Sequence, residues 1–194
     1  METTMNETAL EILEMLGAQN EPQKQALSQL ANTNARYLRD LKMNLKTSLK
    51  SDNVTAKESA LIGLAVASNE NHEILVNYFA QLSRESGATE EELSEAIACA
   101  SLLSSNNVFY RFRHFTGKEK YNQIPAKLRM NIMVNPVLGK EFFELVSLAV
   151  SAVNGCEMCV NAHENSLMEL GAKEERVFDA VRLSAVIVSL SKIV

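Results

Sequence analysis

Residues 61–96 recur without a gap as residues 145–180, and 13 of the 36 paired positions are identical. The matches include Leu64-Ala65-Val66 with Leu148-Ala149-Val150, Val76-Asn77 with Val160-Asn161, Gly87-Ala88 with Gly171-Ala172, and Glu90-Glu91 with Glu174-Glu175. Glycines and helix starts that hold one register at an offset of 84 residues describe a duplicated unit. The unit reads as a helical hairpin followed by a third helix, over approximately 55–105 and 139–189. Neither copy can bury its apolar face alone, so the two must share one core.

The rest of the chain agrees with an all-α fold. Alternating Val-, Ile- and Tyr-rich runs between turn dipeptides are missing, and most apolar residues recur at helical period. With 194 residues, 46% of them hydrophobic, and only seven glycines and three prolines, the chain is large enough for one domain with a substantial core. Leu27, Leu30, Leu38, Leu41, Leu45 and Leu49 predict one amphipathic helix over Pro22–Lys50. Thr55, with Glu58 three residues on, predicts a capped helix start. Further helices are expected over Ala56–Ser68, Asn71–Glu85, Glu90–His114, Lys140–Asn154, Cys156–Leu170 and Lys173–Ile193. Gly87, Gly155 and Gly171 fall at helix ends, and residues 116–139, with Pro125 and Pro136, are the least regular part. Residues 1–21 form an acidic N-terminal segment whose Leu10, Ile12, Leu13 and Leu16 predict a loosely docked helix. Residues 22–194 form the helical domain.

Charge and cysteine usage exclude several classes. A net charge of −5 and a pI near 5.3 argue against a nucleic-acid footprint or a polybasic membrane anchor. Three cysteines cannot build a secreted disulfide framework. Glu2, Glu7, Glu11 and Glu14 occupy the stretch where a signal peptide would be basic and then apolar. No apolar run reaches the roughly 20 residues of a membrane span. The expectation is a cytoplasmic protein with its thiols reduced.

The two copies differ where chemistry is possible. The second carries Glu144, Cys156, Cys159 and His163, and the first has Ala60, His72, Leu75 and Phe79 at those places. Cys156 and Cys159 follow Gly155 at the start of a helical pattern, so both sulfurs share a face and sit where the free N–H groups and the helix dipole favour thiolate. His163 is one turn beyond Cys159 on the same face and can take its proton. Glu144 lies on the preceding helix, from which it can orient the His163 ring if the two helices pack antiparallel. The same spacing also serves zinc, although a fourth ligand is lacking nearby, and buried cysteines are often inert. Dithiol redox chemistry accounts for more of the pattern than either.

These residues carry a family resemblance. Glu144, Ala149-Val-Ser-Ala, Asn154-Gly155-Cys156-x-x-Cys159 and His163-Glu164 are similar to the active-site signature of the alkyl hydroperoxide reductase D family, within the carboxymuconolactone-decarboxylase-like fold. Asn106-Asn107-Val108-Phe109-Tyr110-Arg111-Phe112-Arg113-His114-Phe115 and Leu128-Arg129-Met130-Asn131 resemble that subfamily too. The resemblance covers roughly residues 20–194. It implies an all-helical homotrimer and a thiol peroxidase that reduces organic hydroperoxides, with no bound metal or other cofactor. Dihydrolipoamide on a lipoylated acyltransferase is the implied reductant. The peroxiredoxin alkyl hydroperoxide reductase C is a second implied partner, which a dithiol electron carrier would re-reduce. The resemblance further implies Cys159 as the peroxidatic thiol and Cys156 as the more exposed resolving thiol that the reductant attacks. His163 is then the base and Glu144 the outer member of the proton relay. Met158 departs from relatives that have His between the cysteines.

Other residues read more plainly. Cys99 sits in an apolar run as an inert core thiol, and His72 reads as a surface residue. Met43, Met130, Met133 and Met168 read as core filler. The aromatic block at Asn106–Phe115 is expected to pack against a neighbouring helix or subunit, with its arginines pairing carboxylates, and to line the mouth of the site.

Overall fold

The computed structural model describes residues 6–22 and 24–194. Residues 1–5 of the acidic segment lie outside the described residues. The elements are α1 (Glu7–Met15), α2 (Gln25–Asn32), α3 (Arg36–Ser48), α4 (Ala56–Asn69), α5 (Glu73–Glu85), α6 (Glu90–Thr116), α7 (Glu119–Gln123), a 3₁₀ turn (Asn131–Met133), α8 (Lys140–Val153), α9 (Glu157–Glu169) and α10 (Glu174–Ser191). No strand occurs among the described residues.

The duplication appears in the element boundaries themselves. Helices α4, α5 and α6 begin at residues 56, 73 and 90, and α8, α9 and α10 begin at 140, 157 and 174, the same 84-residue shift each time. Capping boxes start α4 and α6. In each, a threonine hydroxyl accepts an amide proton from the Glu three residues on, whose carboxylate accepts the threonine's own N–H (Thr55–Glu58, 2.9 Å; Thr89–Glu92, 2.8 Å). Helices α4 and α8 pack against each other, with α6 and α10 against both. Their side chains, including Leu61, Ile62, Leu64, Phe143, Leu145 and Leu148, fill one core. A Cβ on Gly63 of α4 would overlap the ring of Phe79, so glycine there lets α5 seat against α4.

The expected helix over Pro22–Lys50 is broken into α2 and α3. Asn34 takes a left-handed conformation (φ 50°), and the Thr33 hydroxyl donates back to the Gln29 carbonyl (3.1 Å). Both residue types compete with the helix for backbone groups, while the leucine spacing runs on across the break. The expected loose docking of the N-terminal helix is also corrected. Ile12, Leu13 and Leu16 are buried in the common core, and only Leu10 of the predicted stripe is exposed.

The irregular stretch after α6 is held by a long-range contact. The buried carboxylate of Glu95 accepts the backbone N–H groups of Val137 (2.9 Å) and Leu138 (2.6 Å). That anchor places residues 130–133 beside the N-terminal half of α9, where they become part of a pocket.

Candidate active site

All four predicted residues meet in one place. Glu144, one turn into α8, turns its carboxylate to α9, and its Oε2 lies 2.6 Å from His163 Nδ1. The other carboxylate oxygen lies 3.1 Å from Lys140 Nζ. Glu144 and His163 are both buried. Burial pushes the Glu144 carboxyl up, but the hydrogen bonds from His163 and Lys140 outweigh it and hold the group below the usual carboxylate range. A charged carboxylate on Nδ1 fixes the ring's tautomer and leaves Nε2 free for chemistry.

Gly155 (φ 67°) turns the chain out of α8 into α9, and Cys156 is the N-cap of α9, with its carbonyl accepting from Val160 N–H (2.9 Å). Cys156 and Cys159 are joined by a disulfide, with Cα atoms 5.3 Å apart. The turn is braced from two sides. Asn154 Nδ2 donates to Asn107 Oδ1 (2.9 Å) and Asn69 Oδ1 (3.1 Å), and the Arg111 guanidinium donates to the Asn154 carbonyl. The expectation that Cys156 is the more exposed thiol is overturned: Cys156 is 0% exposed and Cys159 6%. Tertiary packing around the N-cap closes over Cys156, and Cys159, one turn further on, faces a pocket.

That pocket has a volume of about 200 Å³ and is lined by Leu103, Asn106, Tyr110, Met130, Met133, Met158, Cys159, Ala162 and His163. Its wall is apolar, and its reactive groups are a sulfur and an imidazole. Such a space takes a small apolar molecule with its polar end turned to Cys159 and His163. Met43 is 56% exposed on α3. Met133 packs against the core as expected, as does Met168, but it also forms part of the pocket wall, and Met130 is a wall residue outside the core. Their part in the site was not readable from sequence, because they stand in the irregular stretch that Glu95 positions.

The remaining expectations divide. Tyr110 does line the pocket. The arginines of its block pair with carbonyls and rings, not carboxylates: Arg113 donates to the Ile124 carbonyl and lies 4.7 Å from the centre of the Phe109 ring. His72, at the place that Cys156 holds in the second copy, caps α5 by accepting from Leu75 N–H (3.4 Å) and hydrogen-bonds the Val194 carbonyl oxygen (2.8 Å), so it is half-buried and structural. Cys99 is fully buried against Ser147 (3.4 Å), and burial raises its thiol to about 12. Among the described residues, no group of three or more His, Cys, Asp or Glu is arranged to hold a metal ion, and no helix is long and apolar enough to cross a membrane.

A carboxylate, an imidazole and a cysteine pair on consecutive halves of one hairpin can be compared with known proteins. Residues 119–193 match the model of the carboxymuconolactone decarboxylase family. The chain is 42% identical over 151 residues to an alkyl hydroperoxide reductase AhpD of Anaeromyxobacter dehalogenans, covering 77% of this chain and 80% of that one. The chain belongs to the AhpD family. It is also 37% identical over 160 residues to AhpD of Coxiella burnetii, covering 81% and 90% of the two chains. A further AhpD, from an Anaeromyxobacter species, is 38% identical over 149 residues. The dithiol hairpin lies within the residues that the family model covers, while Leu103, Asn106 and Tyr110 bring α6 of the other copy to the pocket.

Proposed function

We propose that this AhpD-family protein reduces organic hydroperoxides to alcohols through a dithiol–disulfide cycle at Cys156 and Cys159. The observation that carries this reading is that His163, held by the buried Glu144 carboxylate, lines one apolar pocket together with Cys159.

In the reduced protein His163 takes the Cys159 proton, with the Glu144 carboxylate stabilising the imidazolium. The Cys159 thiolate attacks the distal oxygen of the hydroperoxide, forming the S–O bond as the O–O bond breaks. The departing alkoxide takes the proton from His163 and leaves as alcohol. The Cys156 thiol then condenses with the sulfenic acid on Cys159, giving the disulfide and one water and sparing Cys159 further oxidation. Dihydrolipoamide returns two electrons and two protons and leaves as the cyclic disulfide. The apolar pocket of about 200 Å³ beside Cys159 has room for a small organic hydroperoxide. That favours the peroxidase over the reading of the same dithiol as an electron carrier for alkyl hydroperoxide reductase C.

The test is cumene hydroperoxide reduction coupled through dihydrolipoamide and its dehydrogenase to loss of NADH. Turnover that vanishes in Cys156→Ser supports the cycle and its reductant together. A disulfide that dihydrolipoamide reduces, without hydroperoxide turnover, would overturn the peroxidase in favour of the carrier.

A further inference from the structure

The amides around the site are paired with one exception. Asn107 donates to Ser151 Oγ (3.0 Å) and accepts from Asn154, and Asn154 and Asn69 exchange hydrogen bonds in both directions. Asn106, the neighbouring residue, is 4% exposed and lines the pocket with Cys159 and His163. Its Nδ2 donates to the thioether of Met130 (3.1 Å), a weak acceptor, and its Oδ1 has no partner at all. Ser59 and Ser68 also hold unpartnered oxygens, but neither lines this pocket. An unpaired buried carbonyl is costly and calls for an explanation.

We infer that Asn106 binds the hydroperoxide group itself, its Oδ1 accepting the O–H of the distal oxygen. This rests on the peroxidase reading above. The thioether holds the amide weakly, and rotation about an Asn Cβ–Cγ bond is soft, so a small turn brings Oδ1 to the substrate. The hydrogen bond presents the distal oxygen to the Cys159 thiolate. When the S–O bond forms and the O–O bond breaks, the alkoxide takes its proton from His163. The O–H hydrogen stays on the transferred oxygen, so Asn106 then holds the sulfenic hydroxyl. A peroxide without an O–H gains nothing from this group, and the site is thereby selective for hydroperoxides over dialkyl peroxides.

The test uses the Cys156→Ser protein, in which Cys159 reacts without its partner. Asn106→Leu, close to the native volume, and Asn106→Ala, which adds no bulk, are each compared with Asn106 in that background. Two second-order rates at Cys159 are measured: oxidation by cumene hydroperoxide, and alkylation by iodoacetamide, which has no O–H to bind. The expected result is a fall of about tenfold in the hydroperoxide rate with the alkylation rate unchanged. An unchanged hydroperoxide rate overturns the proposal. An equal fall in both rates also overturns it, because Asn106 then only supports the thiolate or the fold. If Cys159 with native Asn106 does not react with cumene hydroperoxide, the peroxidase reading fails, and this proposal fails with it.

Discussion

At the scale of single residues, the proposed chemistry depends on one short proton path. Replacing Glu144 by Gln keeps a hydrogen bond to His163 but removes the charge that stabilises its imidazolium. We expect the rate of Cys159 alkylation against pH to move to higher pH and hydroperoxide reduction to fall by about 10–100-fold. Because Glu144 is held below the usual carboxylate range, its carboxylate keeps its charge down to acid pH. The two thiols separate cleanly: Cys156→Ser should accumulate a sulfenic acid that dimedone traps, and Cys159→Ser should form none, by mass spectrometry of the intact protein. Cys-x-x-Cys, the His four residues on and the Glu one helix earlier were all legible, since helical spacing alone puts the first three on one face. The burial of Cys156 and the wall positions of Met130 and Met133 were not. They depend on contacts between residues far apart in sequence, such as Glu95 with Val137.

At the scale of elements, the starts of α4 and α6 were the most legible, because a capping box is a local signal. The break at Asn34 was illegible for the converse reason: the apolar stripe continues through it in phase. What joins the elements is partly ionic. Arg176 of α10 bridges Glu58 of α4 (2.6 Å) and Glu141 of α8 (2.8 Å) and donates to the Asn53 carbonyl (2.9 Å). Arg176→Leu strands two half-buried carboxylates and should cost roughly 2–4 kcal/mol by urea unfolding at neutral pH. Burial raises the Glu58 carboxyl, but Arg176 and Thr55 together pull it below the ordinary glutamate value of 4.5. A depressed folded-state value adds stability that is full above about 4.5 and is lost as the pH falls below it. The native protein should therefore lose stability on acidification through that range, and the Arg176→Leu protein should lose distinctly less over the same interval.

At the scale of the whole molecule, duplication built two similar halves, of which one carries the candidate site. In the first half Phe79 fills the place of His163 and Leu75 that of Cys159, both fully buried. That asymmetry is visible in the sequence alone, since it is a comparison of the chain with itself. The outer face of α6 falls in the Asn106–Phe115 block, which the sequence led us to expect against a neighbouring helix or subunit. Val108, Phe112 and Phe115 stand exposed along it, with Val134 and Val137 from the following stretch also exposed. We propose that these side chains meet other copies in the implied homotrimer. Phe112→Glu should then shift the mass in solution from three copies towards one, as measured by light scattering. A last consequence follows from where the disulfide closes, with Cα atoms 5.3 Å apart inside the first turn of α9. In the cycle proposed above both sulfurs stay within one helical turn, and we predict that the oxidised and reduced proteins present nearly the same outline. A reductant cannot tell spent molecules from fresh ones by shape and must sample both. Reduced protein therefore competes with oxidised protein for the same docking encounters, and the supply of electrons slows as the pool recovers.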